Sequence, residues 1–541
     1  MNIKVITPEK EYSLSAERGA SLLGLLRSNG IGIAAVCGGK GRCGKCGIRL
    51  LSGRLDITAA DRSVFSDEEL ENGCRLACRV SLNDDITIEL IYSGEEILAD
   101  PDGMPVNNGI CADSDGMPED NEKTAVPEIV FPKAGYGIAI DIGTTTLALA
   151  LVDINHGRVL QCRSSENPQR VYGIDVISRI EAAAKGSDTE LKRLISSKLA
   201  GEISALIREQ ALSNSDITRI AIAGNTAMLH ILRGYDTSGL GGHPFTPVNI
   251  NREELLSGDL LPIEELPDDL KRIPVTILPG ISAFVGADIV SGLYSLSFQE
   301  KEKPCLFLDL GTNGEMAVGT GNKLLVTSVA AGPAFEGGNI KCGSGSIRGA
   351  ISKLSLENGV TGIETIGNTL PPKGICGTGV IEITAELLKN EIIDESGLLT
   401  DRFFETGFPL AENASGETIV FTQDDIREVQ LAKSAVRAGL EVLIKRFGTS
   451  YRNIEKLYIS GGFGHSLDAS KAARIGMIPD GLKEKCEIMG NTSLSGLISY
   501  LRDPEKGRTV FESIRKTGKE LYLSSDEEFN SLFVDYMSFE G

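Results

Sequence analysis

The sequence predicts a chain of several α/β domains: a small N-terminal α+β unit, an acidic linker, and a larger half built from repeated strand, turn and helix units. Three observations predict this organisation. Five of the eleven cysteines fall within the first 78 residues. A strongly acidic stretch follows over 95–123. Beyond residue 133, apolar strands that end in glycine turns recur, and 541 residues are too many for one hydrophobic core.

Composition and charge exclude several classes of partner. Hydrophobic residues make up 41% of the chain and charged residues 24%, close to the average for folded globular proteins. The net charge of −21 repels phosphate backbones and anionic lipids, so we expect neither a nucleic acid nor a membrane partner. No apolar run of about 18 residues and no secretory signal pattern is present, so we expect a cytoplasmic protein.

Residues 1–94 have the pattern of a compact α+β unit. Two short alternating strands, IKVIT and EYSLS, precede a helix around SLLGLLRSNG. Further strands are predicted at GIRLLSG, CRLACRVSL and DITIEL. Helix and strands of this length form a small domain with a core of its own.

Between this helix and the next strand, the segment CGGKGRCGKC has the spacing Cys37-x5-Cys43-x2-Cys46. An iron–sulfur cluster held by thiolates is anionic, and glycines allow backbone N–H groups to approach it closely. The fourth thiolate comes from GCRLACRV, where Cys74 and Cys78 are both candidates. A zinc site is the alternative, because C-x2-C also begins many zinc sites, but the glycine-rich loop favours the cluster.

The pattern C-x5-C-x2-C followed by R-L-x-C resembles the 2Fe-2S ferredoxins of the plant and adrenodoxin type. The resemblance covers about the first 90 residues and implies a ferredoxin-like β-grasp fold. It also implies that Cys37, Cys43, Cys46 and Cys78 bind a 2Fe-2S cluster, with Cys74 as a neighbour; the reverse assignment of Cys74 and Cys78 stays open.

The linker over 95–133 is predicted from composition. Residues 95–123 contain nine acidic residues and one basic residue, with several glycines and prolines. Such a segment buries too little apolar surface to offset its ordering entropy, so we expect a flexible tether that lets the N-terminal unit move. A plain spacer between domains explains the composition equally well.

Two strand–turn segments of the larger half, YGIAIDIGTTT and CLFLDLGTN, share one pattern. Backbone N–H groups and hydroxyls of such turns bind phosphate oxygens, while the aspartate faces Mg²⁺ or its waters. The candidate residues are Asp141, Gly143, Thr144 and Thr145 in the first turn, and Asp309, Gly311, Thr312 and Asn313 in the second. Glu315 is a candidate for orienting the attacking water, with a solvated charge at a strand start as the alternative.

A third segment, KLYISGGFGHS, places Gly461, Gly462, Phe463 and Gly464 after an apolar strand, where a flat base can approach the backbone. Two phosphate turns followed by this element resemble the actin, sugar-kinase and Hsp70 ATPase superfamily, the ASKHA fold. That resemblance implies ATP binding between two ribonuclease-H-like lobes, here 134–300 and 301–541. No P-loop or Rossmann fingerprint occurs, so those folds are disfavoured.

Further segments narrow the resemblance, among them NPQRVYGIDVISRI, IAGNTAMLHIL, AAGPAFEGGNIKCG, GICGTGVIE and MGNTSLSG. Together with the N-terminal cysteines they resemble the reductive activators of corrinoid proteins over essentially the whole chain. The resemblance implies ATP-dependent transfer of one electron to Co(II) of a partner corrinoid protein of a methyltransferase system, which restores Co(I).

An upstream electron donor is implied as well, while a homodimer stays open because oligomeric state leaves no residue signature. Three other functions stay open. The first is a small-molecule kinase of the same fold, and the second is an ATP-dependent activator of a different low-potential enzyme. The third is a nucleotide-switched binding protein without electron transfer.

Overall fold

Mixed sheets form the centre of each part of the chain in the computed structural model. The structure describes residues 1–7, 11–29, 31, 33, 46–62, 64–90, 135–173, 175–262, 266–357, 360–461 and 467–539. Several predictions lie outside these residues, namely those on Cys37, Cys43, the linker 95–133, Gly462, Phe463 and Gly464.

The N-terminal unit has a five-stranded sheet in the order β2-β1-β5-β3-β4. Strand β1 is parallel to β5, and the other pairs are antiparallel. The helix Leu22–Ser28 contributes Leu22 and Leu26 to a core that also contains Ile3 and Val5, the inward residues of β1. The strands are β1 (Asn2–Ile6), β2 (Glu11–Ser15), β3 (Gly47–Ser52), β4 (Cys74–Leu76) and β5 (Ile86–Leu90); the other helices are Ala59–Arg62 and Asp67–Glu71.

One local prediction here is wrong. The sequence predicts a continuous strand through CRLACRVSL, whereas β4 ends at Leu76 and Ala77–Arg79 forms a 3-10 turn. Ala77 N–H donates to the Cys46 carbonyl at 2.9 Å, and the Val80 N–H then donates back to the Ala77 carbonyl. The chain therefore leaves the sheet directly before Cys78.

The first lobe has a six-stranded sheet in the order β10-β11-β9-β6-β7-β8. Strands β6, β7 and β8 form an antiparallel meander, and β9 runs parallel to β6. The strands are β6 (Tyr136–Ile142), β7 (Thr146–Asp153), β8 (Arg158–Glu166), β9 (Ile217–Gly224), β10 (Glu253–Leu256) and β11 (Pro274–Ile277). The helices are Val176–Ala182, Asp188–Glu209, Thr226–Arg233, Ser257–Leu260 and Ala287–Ser295.

The second lobe repeats this arrangement with its main sheet in the order β21-β20-β12-β13-β14-β22, and β20 runs parallel to β12. Two smaller sheets are attached, in the orders β16-β15-β17 and β18-β19. The strands are β12 (Cys305–Leu310), β13 (Gly314–Thr320), β14 (Lys323–Val329), β15 (Ala350–Glu357), β16 (Val360–Thr365), β17 (Gly374–Ile375), β18 (Phe408–Glu412), β19 (Thr418–Phe421), β20 (Leu457–Gly461), β21 (Cys486–Gly490) and β22 (Gly518–Glu520). The helices are Gly377–Lys389, Asp401–Phe404, Gln423–Phe447, Ala469–Arg474, Thr492–Arg502, Pro504–Thr517 and Glu527–Asp535.

A shared core joins the two lobes. The helix Thr492–Arg502 follows β21 of the second lobe but packs on β6 and β9 of the first. Its Leu497 lies in one buried cluster with Ala139 of β6 and Phe307 of β12. Because both faces of these central strands are covered, β6 and β12 are apolar along most of their length. Among the described residues, no helix has both the length and the apolar character needed to cross a membrane.

Candidate functional site

The two predicted phosphate turns occupy equivalent positions in the two lobes. Asp141 is the second-last residue of β6 and Asp309 the second-last of β12. Each strand continues into a short turn before the antiparallel return strand. The first turn is closed by Gly143 N–H donating to the Thr146 carbonyl, and the second by Gly311 N–H donating to the Asn313 carbonyl, both at 2.9 Å.

In both lobes, the strand that runs parallel to the central strand, β6 or β12, ends in a glycine. A side chain at that position would clash with the backbone of the central strand. A Cβ at Gly224 of β9 would lie 2.6 Å from the Ile142 carbonyl, and one at Gly461 of β20 would lie 2.1 Å from the Leu310 carbonyl. No side chain fits there, and Gly461 also has φ +120°. Strand packing thus requires Gly461, whereas the sequence predicts it as a contact for adenine; that contact stays a prediction.

Buried polar side chains hold the first turn in place. Asn167 donates to the Gly143 carbonyl at 2.9 Å, Arg179 to the Thr144 carbonyl at 2.5 Å, and Asn225 to the Thr144 hydroxyl at 2.9 Å. Arg179 is 0% exposed, and burial lowers its pKa to about 9, opposed by Asp175. Donors from three separate segments therefore hold the backbone and the Thr144 hydroxyl of this turn.

Asp141 connects the lobes through two hydrogen bonds. Asn491 donates to Oδ2 and the Ser493 hydroxyl to Oδ1, both at 2.8 Å. These donors stand at the start of the second-lobe helix Thr492–Arg502. Burial raises the pKa of Asp141, and the two hydrogen bonds oppose that rise. The carboxylate thus contacts the beginning of a helix, and its proposed role towards Mg²⁺ is not tested by this contact.

The second turn lies among further carboxyl groups. Asp309 accepts a 3.3 Å hydrogen bond from the Ser460 hydroxyl. Burial, and then the charge of Asp141, raise its pKa to about 7. Asp288, in the first turn of the helix Ala287–Ser295, has its pKa raised to about 8 by burial and by Asp141 and Asp309. Carboxyl groups that resist ionisation therefore cluster at this end of β12.

Glu315 lies opposite Asp309 in the register of β12 and β13. It is half-buried and accepts a 3.1 Å hydrogen bond from the Ser328 hydroxyl, and the alternative of a solvated charge at the strand start stays open. Burial, followed by the charges of Asp288 and Asp309, raises its pKa well above the usual range. Its predicted role towards the attacking water stays a prediction.

Glu336 lies between the two turns. Its Oε2 accepts a hydrogen bond from the Thr312 hydroxyl at 2.8 Å and lies 3.5 Å from the Thr145 hydroxyl of the other lobe. Burial raises the pKa of Glu336, and the two threonines oppose that rise. The carboxylate thus joins residues of the first and second turns directly.

Sequence reasoning missed several of these side chains as site residues. Asn167, Asn225, Glu336 and Asn491 lie in segments that carry the family resemblance, which was the available signal. Asp288 had no signal beyond its position at the start of a helix.

The carboxyl groups suit a magnesium ion bound largely through water and phosphate. Carboxylate oxygens are preferred ligands of Mg²⁺, and a cation would offset the repulsion that raises these pKa values. Mg²⁺ usually keeps several waters and takes one or two carboxylates beside the substrate phosphates.

In the N-terminal unit, Cys46 and Cys78 lie at one end of the β3–β4 pair. Gly47 is opposite Leu76, and the hydrogen bond from Ala77 to the Cys46 carbonyl extends that pairing by one residue. Cys74 lies farther along, opposite Arg49, and is only 5% exposed. Burial raises the pKa of the Cys74 thiol. The placement favours Cys78 over Cys74 as the partner of Cys46.

Comparisons with known proteins cover the whole architecture. Residues 6–83 match the family model of the 2Fe-2S iron-sulfur cluster binding domain. Residues 136–301 match the RACo middle region, and 303–541 match the C-terminal domain of RACo, the ASKHA domain. The fold class expected from the sequence is confirmed: the chain is a 2Fe-2S ferredoxin-type domain joined to an ASKHA ATPase-type domain.

Relatives match over most of their length. The corrinoid activation enzyme RamQ of Eubacterium limosum is 28% identical over 98% of this chain and 99% of its own. The [Co(II) methylated amine-specific corrinoid protein] reductase of Methanosarcina barkeri is 26% identical over 75% and 77%. A solved structure of a reductive activator for corrinoid,iron-sulfur protein is 27% identical, with a TM-score of 0.69 over 99% and 98%. The chain belongs to the RACo family of reductive activators of corrinoid proteins.

Proposed function

We propose that this protein uses ATP to transfer one electron from its 2Fe-2S cluster to Co(II) of a corrinoid protein, which restores Co(I). The observation that carries the proposal is the match to RamQ from end to end, which includes both the ferredoxin-type and the ASKHA domains. A small-molecule kinase is not favoured, because the full-length relatives are named as an activation enzyme and a reductive activator.

The energetics explain why the two halves are joined. A plant-type 2Fe-2S cluster supplies electrons near about −400 mV, and Co(I) formation in a corrinoid generally needs a lower potential. Each 100 mV of uphill transfer costs about 2.3 kcal/mol per electron. Cys37, Cys43, Cys46 and Cys78 would hold the cluster in our proposal, and Cys74 would be a packing residue.

ATP would bind in the cleft where the two turns meet. We assign the phosphate contacts to Gly143, Thr144 and Thr145 of the first turn, and to Gly311, Thr312 and Asn313 of the second. Asp309 and Asp141 would face Mg²⁺ or its waters, and Glu315 would face the attacking water. The base would lie by Gly461, Gly462, Phe463 and Gly464.

A nucleotide changes a protein only through unequal affinity for two states. We propose that the ATP-bound lobes favour a complex with the Co(II) corrinoid protein in which cobalt has lost an axial ligand, and that hydrolysis separates the complex. The corrinoid protein would belong to a methyltransferase system. A separate donor would reduce the cluster, and the protein would act in the cytoplasm, with a homodimer as one arrangement.

The test compares two cysteine variants under anaerobic conditions. Cluster-reconstituted C78S and its matched control C74S are each mixed with reductant, ATP and a corrinoid protein, and Co(I) is followed by its visible spectrum. We expect C74S to reduce cobalt at a rate within about threefold of wild type and C78S to be inactive while still hydrolysing ATP. Equal reduction by both variants, or zinc in place of iron in the wild type, would contradict the proposal.

A further inference from the structure

The carboxylate of Glu336 uses the hydroxyls of both phosphate turns. Oε2 is 2.8 Å from the Thr312 hydroxyl and 3.5 Å from the Thr145 hydroxyl, so a single oxygen lies between the lobes. Oε1 lies on the side of Gly311, 3.8 Å from where a Cβ on that residue would be. These are the groups that the proposed function assigns to phosphate oxygens. The Glu336 carboxylate occupies the hydrogen-bonding positions of these two hydroxyls.

We infer that Glu336 is the residue by which the cleft distinguishes ATP from ADP, because its carboxylate and the terminal phosphate of ATP compete for the Thr145 and Thr312 hydroxyls. The inference rests on the proposed function, since it takes the cleft to be an ATP site. Glu336 thereby affects nucleotide affinity through the two threonine hydroxyls.

Electrostatics make the competition strong. Two anions cannot share the same donors in a half-buried cleft without repulsion, and Asp309 already contributes a like charge beside Glu336. When ATP enters, the Glu336 side chain has to leave the threonine hydroxyls. When ADP is bound, the terminal phosphate position is free of charge, and the carboxylate returns. The two nucleotides therefore leave Glu336 in different places.

The segment that carries Glu336 contacts two helices of the second lobe. A Cβ at Gly377, the first residue of the helix Gly377–Lys389, would lie 1.7 Å from the Phe335 carbonyl, so the two backbones touch. Farther along, Lys341 N–H donates to Asp425 at 2.7 Å and the Asn339 amide donates to Glu428 at 3.1 Å.

Both acceptors belong to the helix Gln423–Phe447. Displacement of Glu336 is thus transmitted to two long helices. This gives the ATP-bound and ADP-bound lobes the different surfaces that partner release requires.

The test is nucleotide affinity of the full, cluster-loaded chain. Binding of the non-hydrolysable analogue AMP-PNP and of ADP, both with Mg²⁺, is measured by calorimetry for wild type, E336A, E336Q and the control E484Q, at an exposed glutamate. Removing the competing charge should tighten AMP-PNP binding about tenfold in E336A, the size of one hydrogen bond to a charged group. ADP affinity should stay within twofold, E336Q should follow E336A, and E484Q should match wild type.

A second measurement on the wild type does not depend on the variants folding. Hydrogen exchange of the segment 333–343 should rise with AMP-PNP and stay unchanged with ADP, against a general decrease around the turns. Equal affinity changes for both nucleotides, weaker AMP-PNP binding in E336A and E336Q, or no rise in exchange would overturn the inference while leaving the ATPase proposal standing. A wild type that binds neither nucleotide would overturn both.

Discussion

The two phosphate turns share a backbone arrangement and differ in what surrounds them. The first is held by neutral or cationic donors, with Arg179, Asn167 and Asn225 bound to Gly143 and Thr144. The second is bordered by carboxyl groups whose pKa values are raised by burial and, for Asp288, Asp309 and Glu315, also by neighbouring carboxylates. We propose from this difference that the first turn is a fixed support, whereas the second would depend on a cation and on nucleotide for its charge balance.

The aspartates of the two turns also differ in how well their carboxylates are hydrogen-bonded. Asp141 accepts two hydrogen bonds of 2.8 Å. The bond from Ser460 to Asp309 is 3.3 Å, and the same hydroxyl is closer, at 3.0 Å, to the Gly490 carbonyl. Because a hydroxyl has one proton to donate, Asp309 is the less well satisfied carboxylate and the one better suited to receive a cation.

The largest effect is expected from removing the support of the first turn. Arg179→Met leaves the Thr144 and Gly173 carbonyls buried without their donor, and we expect a loss of about 3–4 kcal/mol in the unfolding free energy of the ATPase half. Chemical denaturation followed by circular dichroism measures it. Arg193→Ala, which removes an exposed pair with Glu190, should cost less than about 0.5 kcal/mol. A loss under about 1 kcal/mol for Arg179→Met would contradict the role of this support.

The next prediction concerns the second turn. Asp309→Asn should lower ATP hydrolysis about 100-fold, because the neutral amide binds Mg²⁺ and its waters poorly. It should leave the unfolding free energy unchanged or higher, since it removes a charge repelled by Asp141. Steady-state phosphate release measures the rate, and Asp480→Asn, at an exposed aspartate, is the control. Full activity of Asp309→Asn would place the cation elsewhere.

The unfolding free energy should depend on pH through the carboxyl groups near the second turn. The pKa values of Asp309 and Asp288 are raised to about 7 and about 8 in the folded protein, so the folded state binds more protons than the unfolded state between about pH 4 and pH 8. The unfolding free energy therefore falls as pH rises, by about 3–4 kcal/mol between pH 6 and pH 8 in chelator without nucleotide. Thermal unfolding across this range measures it. The slope should shrink in Asp309→Asn and with Mg²⁺ and nucleotide; a stability that rises with pH would contradict the charge balance proposed for the second turn.

The smallest effect tests Asp141. Ser493→Ala removes one of its two donors and should cost about 1 kcal/mol of unfolding free energy. Ser499→Ala on the same helix removes only a bond to the Ser495 carbonyl and should change stability by less than about 0.5 kcal/mol. Equal values for the two variants would show that Asp141 does not depend on the hydrogen bonds between the lobes.

The fold class and the two phosphate turns could be predicted from the sequence because the residue patterns that indicate them are local. Asp141 and Asp309 each end an apolar strand before a glycine turn, and the cysteine spacing identified the cluster segment. Asp288 carries no such signal, and Arg179 had only the family resemblance of the segment NPQRVYGIDVISRI, since each acquires its role only when distant segments pack together. The strand predicted through Cys78 ends at Leu76 because the Val80 N–H donates to the Ala77 carbonyl in a 3-10 turn, which the alternation of side chains does not reveal.

The most direct test of the account is the amount of Co(I) formed by the reduced, cluster-loaded wild type as ATP is added to a fixed amount of Co(II) corrinoid protein and reductant. We expect Co(I) to accumulate over many turnovers only with hydrolysable ATP. We expect Asp309→Asn to form it at about one hundredth of the wild-type rate. Equal Co(I) formation without nucleotide, or by Asp309→Asn, would contradict it.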